Sequence, residues 1–226
     1  MKLSKRLATA AKFCSQADTI ADVGADRGEL SYFLLENGLA QKAILSDISQ
    51  NSLNRAVMLF QNTPLWEKAQ FRVGDGLSIL NPGEADTIVM AGMGGQTICN
   101  ILAQGKNVVS ACRGLVIQAM GNSSQVRRWL QKSGFVITKE AMVKEGRHYY
   151  TIIRSQPGYM ELTAAEIYAG PILLANKEPL LRELLEREIE ERESTHSFLA
   201  SKNQGRERQE SLKGELKFLY SLRDML

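Results

Sequence analysis

Thr19-Ile-Ala-Asp22-Val-Gly24-Ala-Asp26-Arg-Gly28-Glu-Leu30 runs from a buried-strand pattern through a glycine loop into a helix start. Apart from Asp22 near its end, Thr19–Val23 is β-branched or apolar, as a strand covered on both faces requires. Gly24 and Gly28 supply the turn, and a helix is expected from about Glu29 to Asn37. The same alternation repeats outward along the chain. Lys42–Ser46 reads as a second strand, and Ser49 caps a helix with Leu53, Ala56, Val57 and Phe60 on one face. Phe71–Val73 is a short third strand. Asp86–Ala91 is a fourth, with a helix beginning near Gly94, and Gly114–Gln118 is a fifth, with a helix over Asn122–Lys132. Phe135–Thr138 and His148–Ile153 follow with a short connection, as an antiparallel edge. Strand–helix alternation predicts an α/β fold whose parallel sheet is covered on both faces.

The chain has 226 residues, 44% of them hydrophobic and 23% charged, which is globular and excludes disorder and repeats. Cys14, Cys99 and Cys112 lack paired zinc-site spacing, and His148 and His196 are the only histidines, so no metal centre is expected. The apolar run after Met1 is short and is interrupted by Lys12, and no run reaches the ~18 apolar residues of a membrane span. We expect a soluble, cytoplasmic protein without a membrane partner. Residues 1–156 carry 18 Lys/Arg against 12 Asp/Glu, and residues 157–226 carry 10 against 13. That shift coincides with a change of pattern at Gln156-Pro-Gly158, followed by a loop region with a second break at Gly170-Pro171. From Pro179 on, Leu181, Leu185, Ile189, His196 and Leu199 recur at near-heptad spacing. After a turn at Lys202–Gly205, Leu212, Leu216, Leu219, Leu222 and Leu226 form a second stripe. The expectation is a body over 1–156 and a coiled-coil-like helical hairpin over 157–226. The hairpin either packs on its own body or serves as an RNA-gripping or dimerising arm; monomer and homodimer both remain open.

Ligands of open parallel sheets sit beyond the carboxyl ends of the strands. Three consecutive strand ends carry an acid: Asp22, Asp47 and Asp75. A dinucleotide site wants a glycine where Asp26 stands, and a carboxylate there would face phosphates. S-adenosylmethionine has no phosphate, and its groups match these acids. Asp22 or Asp26 suits its ammonium, directly or through water; Asp47 suits the ribose diol; Asp75 in Gly74-Asp-Gly76-Leu suits the adenine amine. Gly24, Ile48 and Gly76 complete the expected cofactor wall. The alternative is that the acids cap the following helices. Ala91-Gly92-Met93-Gly-Gly95 ends the fourth strand, where glycines let backbone approach the methyl-bearing centre. Methyl transfer is an in-line displacement that needs positioning more than an acid–base pair, so no catalytic residue is assigned. The Asp/Asn-Pro-Pro-aromatic run associated with exocyclic amine acceptors is absent.

With these motifs the chain resembles the bacterial tRNA (adenine-22 N1)-methyltransferase family, TrmK-like enzymes that join a class I methyltransferase domain to a C-terminal helical hairpin. The likeness spans nearly the whole chain: Leu3-Ser-Lys-Arg-Leu7, Asp22-Val-Gly24, Gly74-Asp-Gly-Leu77, Ala91–Gly95, Leu115-Val-Ile-Gln118, Arg128-Trp-Leu130 and Gly170-Pro171. It implies a Rossmann-like sheet, S-adenosylmethionine as cofactor and N1 of an adenine in the tRNA D-arm region as acceptor. The chain departs from the family in three places. Ala25-Asp-Arg-Gly-Glu-Leu30 stands for Ser-Asp-His-Ala-Tyr-Leu, Asp47 for Glu, and Gln118-Ala-Met120 for Gln-Pro-Asn. Gln118 lies on the acceptor side. Arg6, with Lys5, is a candidate for the cofactor's carboxylate or an RNA phosphate, against a solvated helix face. Arg127, Arg128, Lys132, Lys139, Lys144 and Arg147 are candidates for phosphate contacts, against simple solvation. Tyr149 or Tyr150 is a candidate to stack on a flipped base, against a half-buried strand pair. The other functions left open are methylation of a different RNA, protein or small molecule, and non-catalytic cofactor binding.

Overall fold

The structure is a computed structural model that describes residues 1–14, 17–202 and 204–226. Seven strands form one sheet: β1 (Ala17–Val23), β2 (Ala40–Asp47), β3 (Ala69–Val73), β4 (Thr87–Met93), β5 (Gly114–Ala119), β6 (Phe135–Glu145) and β7 (His148–Pro157). Their order is β3-β2-β1-β4-β5-β7-β6, and the first five pair in parallel. β7 runs antiparallel between β5 and β6, so β6 points the same way as β5. The chain builds outward from β1 to β3 and then returns to place β4 on the other side of β1. That reversal opens a crevice at the carboxyl ends of β1 and β4, the position at which Rossmann-like sheets take ligands.

Helices cover the sheet because its strands are apolar on both faces. α1 (Lys5–Phe13), α2 (Glu29–Glu36) and α3 (Gln50–Phe60) share a core with Ile20, Leu45, Val89, Val116 and Ile152. Ser4 caps α1 by accepting from the Leu7 N–H, and Ser49 caps α3 by accepting from the Ser52 N–H. Phe60 sits at the layer's centre, edge-on to Tyr32 at 5.2 Å and to Phe71 at 5.4 Å. α4 (Gly95–Gln104) and α6 (Ser123–Lys132) pack on each other and against β4 and β6. α5 (Lys106–Ala111), which the apolar pattern does not announce, follows α4 directly.

β6 is much longer than the expected Phe135–Thr138. Lys139, Glu140, Lys144 and Glu145 break the alternation that marks a strand, yet the ladder continues through them. Glu140 faces inward because Arg127 of α6 meets it at 2.8 Å, both side chains being essentially inaccessible to solvent. The disruptive charge is one half of a buried ion pair.

The chain divides into two compact units, Met1–Leu162 and Thr163–Leu226. The division falls after Leu162, beyond the expected break at 156. The segment past β7 is still tied to the first unit: Gly158 donates to the Gly134 carbonyl, and Leu162 donates to Gln131 Oε1 at 2.7 Å. In the second unit, the segment expected as loop forms two short helices, α7 (Ala164–Ala169) and α8 (Pro171–Ala175). Thr163 and Glu166 make a reciprocal capping box at the start of α7, and Pro171 opens α8. α9 (Pro179–Ser201) and α10 (Arg206–Asp224) pack as a helical pair, with Leu181, Leu185, Ile189, Leu212, Leu219 and Leu222 buried. Glu215 joins them by accepting from Arg192 at 3.0 Å and from Arg208 at 2.5 Å. Asn203, within the expected turn, lies outside the described residues. Among the described residues no helix is long and apolar enough to cross a membrane.

Candidate active site

A cavity of about 750 Å³ opens at the carboxyl edge of the sheet, and every residue expected at the cofactor lines it. Arg6, Asp22, Gly24, Asp26, Asp47 and Ile48 come from α1, β1, β2 and the turns after the two strands. Asp75, Gly76, Ala91, Gly92 and Met93 come from the turn after β3 and the end of β4.

Asp22 sits inside the end of β1, 4% exposed, and accepts from Ser31 Oγ at 2.7 Å. Burial pushes its carboxyl up to about 6, against the opposing hydrogen bonds from the Ser31 side chain and backbone. Asp22 therefore does serve the first turn of α2, as the capping alternative foresaw, while still lining the cavity. Asp47 is the last residue of β2. Its Oδ1 accepts from the Ser49 N–H at 2.8 Å and its Oδ2 from the Asp26 N–H at 3.3 Å. One carboxylate thus orders the glycine loop and the start of α3 together. Asp26 turns to the rim, where Arg55 meets it at 2.6 Å, and this ion pair competes with any ligand ammonium. Ile48 is 72% exposed on the cavity wall, an aliphatic surface of the kind that covers a planar ring.

Two glycines decide the shape of the far wall. Gly24 has φ +74°, and a Cβ there would stand 2.1 Å from Met93 Cε. The Met93 side chain therefore lies across the turn after β1, where the left-handed backbone of Gly24 favours glycine. Gly92 has φ +83° at a register shift between Ala91 and Met93. A bulge leaves a backbone N–H without its ladder partner. Here Gln118 Oε1 accepts it at 3.0 Å.

Gln118 is fully buried and does not open onto the cavity, contrary to its expected place at the substrate. The same Oε1 accepts from Arg6 Nη1 at 2.8 Å, while Nε2 donates to the Ala119 carbonyl at 3.0 Å. The amide thus locks the Gly92 bulge to a guanidinium on the cavity wall. Glu145, at the end of β6, completes the lock by accepting from the Arg6 backbone N–H at 3.0 Å and facing Arg6 Nε at 3.6 Å. The Tyr150 ring lies 5.6 Å from the guanidinium. Glu145 and Ser31 escape a reading of sequence alone. Glu145 stands 139 positions from Arg6, and no local pattern joins them.

Among the expected substrate residues, Arg127 requires correction. It is 1% exposed and spent on Glu140, because an unpaired guanidinium cannot be buried. Arg128, its neighbour on α6, is exposed. Tyr149 is half-buried, with Lys144 Nζ 5.2 Å from its ring centre.

Comparison with known proteins agrees with this geometry. The methyltransferase domain family matches residues 3–153. The tRNA (adenine(22)-N(1))-methyltransferase of Bacillus subtilis (strain 168) is 27% identical over 219 residues, 94% of this chain and 92% of that protein. Streptococcus pneumoniae Sp1610 in complex with S-adenosyl-L-methionine is 28% identical with a TM-score of 0.89, over 98% of this chain and 100% of that one. M. capricolum TrmK in complex with S-adenosyl-homocysteine is 25% identical with a TM-score of 0.88, over 100% and 99%. A strand order that reverses beside β1, carboxylates at successive strand ends and this likeness over the whole length have one reading: the chain belongs to the class I methyltransferase domain family, in its TrmK branch.

Proposed function

We propose that the protein transfers a methyl group from S-adenosylmethionine to N1 of adenine 22 in tRNA. The observation that carries this reading is one cavity lined by the acids of three successive strand ends, in a chain similar over 94% of its length to an enzyme of that name. The donor set fits the cofactor. Asp47 would hold the ribose hydroxyls and Asp75 the adenine amine, with Ile48 as the apolar surface beside them. Asp22 would hold the ammonium, and Arg6 would attract the carboxylate. Bound there, S-adenosylmethionine supplies a methyl group already activated on sulfur.

The chain's task is then to orient the acceptor and exclude water. Adenine N1 carries an in-plane lone pair, so no side chain has to remove a proton before attack. That accounts for a site without a catalytic dyad. Gly92 and Met93 shape the wall where the two reactants meet, and the Gln118 amide holds that wall in place. A tRNA substrate also implies work in the cytoplasm.

The test is incubation of the protein with labelled S-adenosylmethionine and a tRNA transcript, followed by nucleoside analysis. N1-methyladenosine is expected with adenine at position 22 and not when guanine replaces it. Cofactor binding without N1-methyladenosine in either transcript overturns the proposal.

A further inference from the structure

β5 pairs with β7 only as far as Ala119 opposite Thr151. β6 and β7 continue together for three more pairs, Val143 with Tyr150, Lys144 with Tyr149 and Glu145 with His148, before the turn at Gly146-Arg147. At about 3.3 Å per residue this two-stranded ribbon overhangs the sheet by about 10 Å. Since β6 runs parallel to β5, the overhang stands at the carboxyl edge, where Asp22 and Asp47 end their strands. Its far end meets the cavity wall through Glu145 and Arg6.

A bare two-stranded ribbon is marginal in water, and its composition shows what each face is for. Residues alternate between faces along a strand. Glu145 and Tyr150 share the face that meets Arg6, which secures the ribbon to α1. Lys144 and Tyr149 share the opposite face, with the ammonium 5.2 Å from the ring centre. Arg147 and His148 are exposed at the tip. Glu145, the acid of this tip, is paired with Arg6. Lys144, Arg147 and Tyr149 give this end of the ribbon cationic and aromatic side chains, the combination that holds a nucleic-acid backbone.

We infer that the overhanging tip of the β6–β7 ribbon, through Lys144 and Arg147, is a docking surface for the phosphate backbone of the RNA substrate beside the methyl-transfer cavity. This rests on the tRNA reading above. Phosphate contacts position a substrate without reading its sequence, so the ribbon aligns the RNA while the cavity selects the base.

The test replaces Lys144 and Arg147 together by alanine in the full chain. Initial rates with a tRNA transcript are measured over a range of salt, and cofactor binding is followed by thermal shift. KM for tRNA should rise about tenfold at moderate salt, and the slope of log affinity against log salt should fall by roughly 0.7 to 0.9 for each phosphate that the variant no longer neutralises. The shift with S-adenosylmethionine should not change, and Lys144→Arg with Arg147→Lys should keep both the affinity and the slope. An unchanged KM and slope beside an active wild type overturns the inference. So does a parallel loss of cofactor binding and thermal stability, which assigns the two residues to the fold. A wild type that binds cofactor but methylates no tRNA overturns the tRNA reading itself, and the two failures are thus told apart.

Discussion

Asp22 sets burial against charge. Its carboxyl rises from 3.8 to about 6 because the folded chain removes it from water. Between those values the folded state holds a proton that the unfolded state has released. Its effect on stability is therefore most favourable below pH 4, and it is lost as pH rises through 6, where the buried charge costs about 3 kcal/mol. Asp22→Asn should remove that dependence. Urea unfolding should show the variant gaining on the wild type between pH 4 and 6, by up to about 3 kcal/mol. A difference that is flat with pH would contradict burial as the cause. The same ionisation prepares the site for a cation, so S-adenosylmethionine should bind the wild type more tightly at pH 7.5 than at pH 5. In titration calorimetry Asp22→Asn should bind weakly at both.

Among the elements, the end of β4 and the register of β6 depend on side chains that arrive from elsewhere. The bulge at Gly92 frees an N–H that Gln118 of β5 accepts, and the same oxygen holds Arg6 of α1. Gln118→Leu leaves that N–H orphaned, at a cost of about 1–3 kcal/mol. It also releases Arg6, so cofactor affinity should fall further than the thermal midpoint alone implies; equal losses would limit Gln118 to a core role. Arg127 and Glu140 hold α6 to β6. Arg127→Ala should cost about 3–5 kcal/mol in denaturant unfolding, whereas Arg127→Met with Glu140→Leu should recover most of it. The same two places mark the limits of what sequence reveals. Strands β1, β2, β4 and β5 were legible because both their faces are apolar, and Asp22, Asp47 and Asp75 were legible because strand ends are local. The last half of β6 was hidden by Glu140, whose partner lies on another element. The roles of Gln118 and Glu145 were hidden for the same reason, since Arg6 is more than a hundred residues from either.

At the scale of the whole molecule, function and charge divide unequally between the two units. Met1–Leu162 holds 18 basic and 13 acidic side chains, and Thr163–Leu226 holds 10 and 12. Every residue that lines the cavity lies at or before Ile101. The first unit also contains a complete sheet with helices on it, and its carboxyl-terminal segment is fastened by the Leu162 and Gly158 hydrogen bonds. At about 160 residues it is large enough to bury a core of its own. A chain ending at Leu162 should therefore fold cooperatively and keep the thermal shift produced by S-adenosylmethionine. Ending it at Gln156 instead removes those fastenings, and its melting midpoint should lie lower than that of the longer truncation. The residues that line the cavity belong to the first unit, and the loss of the helical pair should be read in the RNA step: the 1–162 chain should keep its cofactor affinity while KM for tRNA rises. If that chain methylates tRNA with an unchanged KM, the helical pair has no part in holding the substrate. If it fails to bind cofactor although folded, the cavity depends on the second unit.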